Sequence, residues 1–169
     1  MPGRDWGHAV LWTCRGLRLE AIARAFHEHR GEIDESRGPL ELTFEGGRVI
    51  HLTTASNGES VAVREGAWYD PVADPDAPPD EAWIREHGRW IRVDVSGRPG
   101  YAEGLGAPLL VGYWLVNRNG SVAGVELSFG LVTVTFASWG DDEYVVFGRA
   151  GALPREWGME RYPTIVMEA

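Results

Sequence analysis

Two stretches of this chain, LELTFEGGRVIHLTTASNGESVAV at 40–63 and VELSFGLVTVTFASWGDDEYVVF at 125–147, carry one pattern twice. With one gap at Gly46 or Gly47, Glu41, Leu42 and Phe44 align with Glu126, Leu127 and Phe129, and Glu59 and Val61 with Glu143 and Val145. Thr43/Ser128, Ile50/Val134, Leu52/Phe136, Thr54/Ser138 and Val63/Phe147 are conservative matches. Each copy divides into three short runs of alternating, β-branched and aromatic residues, which signal strands. The turns between them are supplied by EGG, SNGE and GDDE. A sheet that is apolar on one face has to cover it, and two copies can cover each other. The expected fold is mainly β, of the β-rich α+β kind: two tandem antiparallel meanders packed as a sandwich or barrel.

Upstream, GLRLEAIARAFHEHRG (16–31) lies over GAPLLVGYWLVNRNG (106–120). By propensity the first reads as a helix, with Leu19, Ile22, Ala23 and Phe26 on one face and Gly31 as a C-cap. By the repeat, residues 17–29 copy a strand, and the repeat is preferred because tertiary context overrides propensity. The chain then divides into repeat 1 at about 16–65, an acidic proline-rich connector at 66–104, repeat 2 at about 105–148 and a tail at 149–169, all in one domain. Within the connector, WYDPVADPDAPPDE (68–81) reads as an extended surface loop. DEAWIREHG reads as one short helix capped by Asp80, with Trp83 and Ile84 inward and Gly88 as its stop. WIRVDVS reads as an additional strand leading into copy two, and TIVM as a short strand in the tail.

With 25 acids against 16 bases the net charge is −9, which suits a basic or neutral partner and opposes nucleic acid. Every base is Arg, so bidentate Arg–carboxylate pairs are expected. Cys14 is the one cysteine and lies in the apolar stretch HAVLWTCRG, which points to a buried, inert thiol and a reducing compartment. The opening residues lack the features of a signal peptide, and no apolar run reaches membrane-spanning length. The expectation is a cytoplasmic protein without membrane, cofactor or metal.

No nucleophile elbow, phosphate loop, dinucleotide fingerprint or HExxH is present. His27 and His29 would share a strand face, with His51 nearby, a set that zinc accepts; the unplaced third ligand and adjacent Arg24 and Arg30 favour solvated histidines. Asp141, Asp142 and Glu143 lack the alternate spacing of a calcium loop and read as turn residues. Glu41 and Glu126 could face each other as a carboxylate pair, giving the alternative of a small-molecule-binding or hydrolytic β-barrel that also uses the histidines. Of the eight tryptophans, Trp12, Trp90 and Trp114 lie in apolar runs and are expected in the core. Trp68 with Tyr69 heads a run of Asp70, Asp74, Asp76, Asp80 and Glu81, and Trp139 heads Asp141, Asp142 and Glu143. Aromatic anchors rimmed by carboxylates suit a protein interface, and these residues form the expected partner-binding set.

The frame LELTF-x-GG-x-VI-x-L with GVELSFG, VTVTF and DDEYVVF resembles small bacterial proteins that include immunity proteins of polymorphic toxins. That resemblance implies a non-enzymatic inhibitor that acts by occlusion, has no catalytic residues, and takes a toxin domain as its partner.

Overall fold

A computed structural model describes residues 7–70, 76–140, 142–148 and 157–166. A short helix α1 (His8–Thr13) precedes β1 (Leu19–His29), β2 (Glu32–Asp34), β3 (Leu40–Phe44), β4 (Arg48–Thr54) and β5 (Val61–Glu65). Then come α2 (Glu81–His87), β6 (Arg89–Asp94), β7 (Val111–Val116), β8 (Val122–Phe129), β9 (Val132–Trp139), β10 (Asp142–Gly148) and β11 (Glu160–Val166). The strands make two antiparallel sheets that face each other as an open sandwich. Copy one is the meander β1-β3-β4-β5 and copy two the meander β7-β8-β9-β10, as the repeat requires.

Residues 19–29 are strand, and the alternation explains why. Ile22, Arg24 and Phe26 point between the sheets, while Ala23 and Ala25 lie on the outer face under other side chains. A bulge between Leu19 and Ala21 resets the phase, so the apolar spacing imitates a helix. Alternation likewise puts Leu40, Leu42 and Phe44 in the core and leaves Glu41 and Thr43 outside.

The two copies are related by a twofold that the backbone itself records. Gly16 and Gly106 are aligned, as are Leu19 and Leu109. Gly16 N–H donates to Leu109 O at 2.8 Å, and Gly106 N–H donates to Leu19 O at 2.7 Å. Leu19 N–H to Ala107 O and Leu109 N–H to Leu17 O, both 3.0 Å, complete the exchange. Other aligned residues meet each other on the same axis. The Phe44 and Phe129 rings lie 6.1 Å apart, and Thr54 Oγ1 donates to Ser138 Oγ at 3.2 Å.

The extra strands obey this symmetry too. β6 pairs with β1 and β11 pairs with β7, each on the edge away from its meander. The sequence suggested that the WIRVDVS strand leads into copy two; in the structure it returns to copy one. The last strand of each copy departs from the sequence alignment. Val61 lies opposite Thr54 and Glu143 opposite Ser138, so Val61 and not Glu59 is the structural counterpart of Glu143. A slip of two residues keeps side-chain parity, so the inward set survives it.

Three tryptophan expectations are corrected. Trp12 is exposed, flanked by the Arg15 guanidinium 4.7 Å from its centroid and by the His8 ring. Trp83 is also exposed, because α2 buries none of its residues and its indole leans on His87. Trp90 is half-buried on the outer side of β1 rather than in the core. Trp114 does pack against the core, and Cys14 is buried with its thiol pushed up to about 11 by desolvation.

Candidate functional site

The repeat is broken in two places at one end of the sandwich. In copy two, the first and second strands are joined by the tight turn 117–121. In copy one β1 runs on to His29, hairpins into β2, and returns through 35–39. Between the third and fourth strands, copy one has residues 55–60, whereas in copy two β9 ends at Trp139 and β10 begins at Asp142, which puts Asp142 and Glu143 on the strand. Between these departures lies a cavity of about 490 Å³. Copy one lines it with His27, Asp34, the 37–39 segment, Thr53, Thr54, Trp68 and Trp90, and copy two with Asp142 and Glu143. Its size falls in the ligand-site range of about 300–1,000 Å³.

One wall is aromatic. The Trp68 and Trp90 rings meet edge to face at 6.2 Å, and His27 meets Trp90 at 5.3 Å while donating from Nε2 to the His87 carbonyl at 2.9 Å. Gly38 sits under Trp90 at φ +117, where a Cβ would come 2.0 Å from the Ala25 carbonyl oxygen; only glycine fits. From inside the sandwich Arg24, 2% exposed, holds the same segment. It donates to the carbonyls of Pro39 (3.3 Å) and Gly38 (3.2 Å) and to the Tyr101 hydroxyl (3.1 Å). Burial lowers its pKa, against the opposing pull of Tyr101, Glu143 and Glu35.

The rest of the lining includes three carboxylates, those of Asp34, Asp142 and Glu143. Glu143 Oε1 accepts from Thr54 N–H at 2.6 Å and Thr53 Oγ1 at 2.8 Å. Burial nonetheless raises its pKa, with those bonds and Arg24 pulling the other way. Arg37 crosses the mouth, with Nε 3.1 Å from Asp34 Oδ2 and Nη1 2.5 Å from Asp142 Oδ1. Asp34 is held below the ordinary carboxylate range, mainly by the side-chain and backbone bonds from Ser36.

Of the residues expected to bind a partner, Trp68, Asp142 and Glu143 come together here. Trp139 lies apart, stacked on Trp157 at 4.9 Å, with Tyr144 edge-on to Trp157. Tyr69 is exposed, and Asp70 and Asp76 lie on the connector outside the cavity lining. Asp80 caps α2 as expected, its Oδ1 accepting from the N–H groups of Ala82 and Trp83 at 3.0 Å, and Glu81 is exposed in the first turn. Asp74 and Asp141 lie outside the described residues. Sequence reasoning missed His27, Asp34, Arg37 and Trp90 as cavity residues. The available signal was the unequal spacing between first and second strands in the two copies.

Glu41 and Glu126 do not face each other. They lie on the outer faces of opposite sheets, 4% and 3% exposed. Glu41 takes Arg92 Nη2 at 2.5 Å and the Trp68 N–H at 2.9 Å; Glu126 takes Arg161 Nη2. Burial pushes the pKa of Glu41 up, but the Arg92 and Trp68 bonds outweigh it and leave the group below its ordinary value. The three histidines do not converge either: His51 Nδ1 donates to the Gly66 carbonyl, and no cluster of three His, Cys, Asp or Glu among the described residues is placed to hold a metal ion. No helix among the described residues is long and apolar enough to cross a membrane.

The chain matches no family model, no curated protein and no solved structure.

Proposed function

We propose that this chain is a non-enzymatic binding protein of the immunity type, acting in the cytoplasm to neutralise a toxin domain. Its contact surface centres on the cavity lined by Trp68, Trp90 and Glu143. One observation carries this reading: the cavity is built where the two copies stop being equivalent, and aromatic and acidic side chains converge there. A duplication that served packing alone had no need of the β1–β2 excursion. The net charge of −9 would speed encounter with a basic toxin, and half-buried aromatic anchors would slow its release. Hydrolysis by Glu41 and Glu126 finds no support in their geometry, since each is occupied by its own arginine on a separate face.

The test is co-expression with the product of the adjacent reading frame. Protection from its toxicity is expected from the wild-type chain, with loss of protection in the Trp68→Ala, Glu143→Ala double variant. A neighbour that is harmless, or protection undiminished by the double variant at equal protein level, sinks the reading.

A further inference from the structure

The cavity contains three carboxylates, and they are not in the same state. Asp34 and Asp142 already share a guanidinium, that of Arg37. Glu143 differs. Its Oε1 accepts from Thr53 Oγ1 and Thr54 N–H, the Thr54 hydroxyl also acts on the carboxylate, and among the described residues no arginine is ion-paired with it. Arg24, a buried cation, turns its donors to the Gly38 and Pro39 carbonyls and to Tyr101. The same cavity is lined by the indoles of Trp68 and Trp90, set at 67° to one another.

We infer that the cavity receives one arginine side chain of a basic partner, its guanidinium against the Trp68–Trp90 corner and donating to the Glu143 carboxylate. This rests on reading the chain as a partner-binding protein, and it names what that partner must present.

The donor set selects the guest. A metal ion would need several oxygen or nitrogen ligands, and indoles supply none. A neutral polar group would leave the Glu143 carboxylate without an ion pair. A lysine ammonium would satisfy Glu143 as a point charge but is compact and strongly hydrated. A guanidinium is flat, weakly hydrated and forked, so it can stack on an indole and hydrogen-bond a carboxylate together. Arg37 is the precedent within the molecule, since a guanidinium already seats between two carboxylates at the same mouth. The chain's excess of acid over base gives the electrostatic bias that such a guest needs.

Blocked tripeptides that carry arginine, lysine or citrulline at the centre test this on the full chain. Citrulline keeps the planar shape and removes the charge. The readout is the indole N–H resonances of Trp68 and Trp90 during titration. Arginine is expected to move both and to saturate, with citrulline and lysine weaker by about tenfold or more. Glu143→Gln should bring arginine down to the citrulline level, whereas Glu86→Gln on exposed α2 should change nothing. Citrulline or lysine binding as well as arginine overturns the inference, as does arginine binding that survives Glu143→Gln. The citrulline comparison is made on the wild type, so it stands even if the variant folds poorly. Protection from a toxin without arginine selectivity defeats this inference alone; arginine selectivity without protection defeats the immunity reading and leaves the inference standing.

Discussion

Copy one and copy two hold the same ion pair in the same place. Glu41 on β3 reaches across β1 to Arg92 on β6, and Glu126 on β8 reaches across β7 to Arg161 on β11. The registers agree residue by residue: Ala23 lies opposite Glu41 and Ala25 opposite Arg92, as Tyr113 lies opposite Glu126 and Leu115 opposite Arg161. Inside the sandwich the copies part. The residue aligned with Arg24 is Trp114, so copy one carries a buried cation where copy two carries an indole. That cation pins the Gly38–Pro39 segment, which copy two lacks. The outer faces therefore carry the same pairing in both halves, and one end of copy one departs from the repeat.

The shared core offers the strongest way to break this comparison. Phe44→Ala and Phe129→Ala should each lower unfolding stability by about 3–5 kcal/mol in urea titrations. Because the rings touch, the double variant should cost less than the two losses combined. A large loss at one phenylalanine and almost none at the other would mean that the halves do not share their core equally.

The ion pairs come next. Arg92→Met and Arg161→Met each remove an arginine donor from a buried glutamate, at a cost of about 1–3 kcal/mol. Half of each arginine is in solvent, which keeps these figures below those for a fully buried pair. The two losses should be comparable. The Arg92→Met deficit should also shrink in acid, since Glu41 without Arg92 takes up a proton more readily.

The acid dependence of the native chain separates the repeated glutamate Glu41 from the cavity glutamate Glu143 by sign. Glu41 has a depressed folded pKa, so its stabilising contribution is present above the ordinary glutamate value and is lost as pH falls through the depressed one. Glu143 has a raised folded pKa, so its contribution is present below the ordinary value and is lost as pH rises through the raised one. Glu41→Gln should therefore lower the urea midpoint at neutral pH, and Glu143→Gln should raise it. Both effects should fade in acid. Midpoints that move in the same direction would show that Glu143 is held as firmly as Glu41.

Most of the architecture was legible in the sequence because duplication supplies its own control. LELTF and VELSF confirm each other as strands, and LLVGYWLV overrules the helical spacing of Leu19, Ile22 and Phe26. The counterpart strands β6 and β11 were harder to match, since WIRVDV and RYPTIV share only the arginine that faces the conserved glutamate. Exposure of Trp12 and Trp83 was not legible, because an indole in an apolar run can as well sit over an arginine or a histidine as in a core. The cavity was the least legible part. Trp68, Asp142 and Glu143 stood out by composition, whereas Asp34 and Arg37 are brought to them by the β1–β2 excursion, and His27 and Trp90 by the pairing of β6 with β1.

The smallest expected effect is at Arg37. Its partners are spread over β2 and β10, in different copies, so it resembles a third ion pair holding the halves together. The exposures argue otherwise: all three side chains are between about a third and a half open to solvent, where such pairs contribute little. Arg37→Met should thus leave the urea midpoint unmoved, in contrast to Arg92→Met. What it should change is the cavity, because two carboxylates lose their internal guanidinium and become available to an external one. Arginine-peptide affinity should rise severalfold while thermal unfolding stays put. If the midpoint instead falls as far as it does for Arg92→Met, Arg37 belongs with the shared scaffold, and the boundary between the repeated part of copy one and its departing end has to be drawn farther along β2.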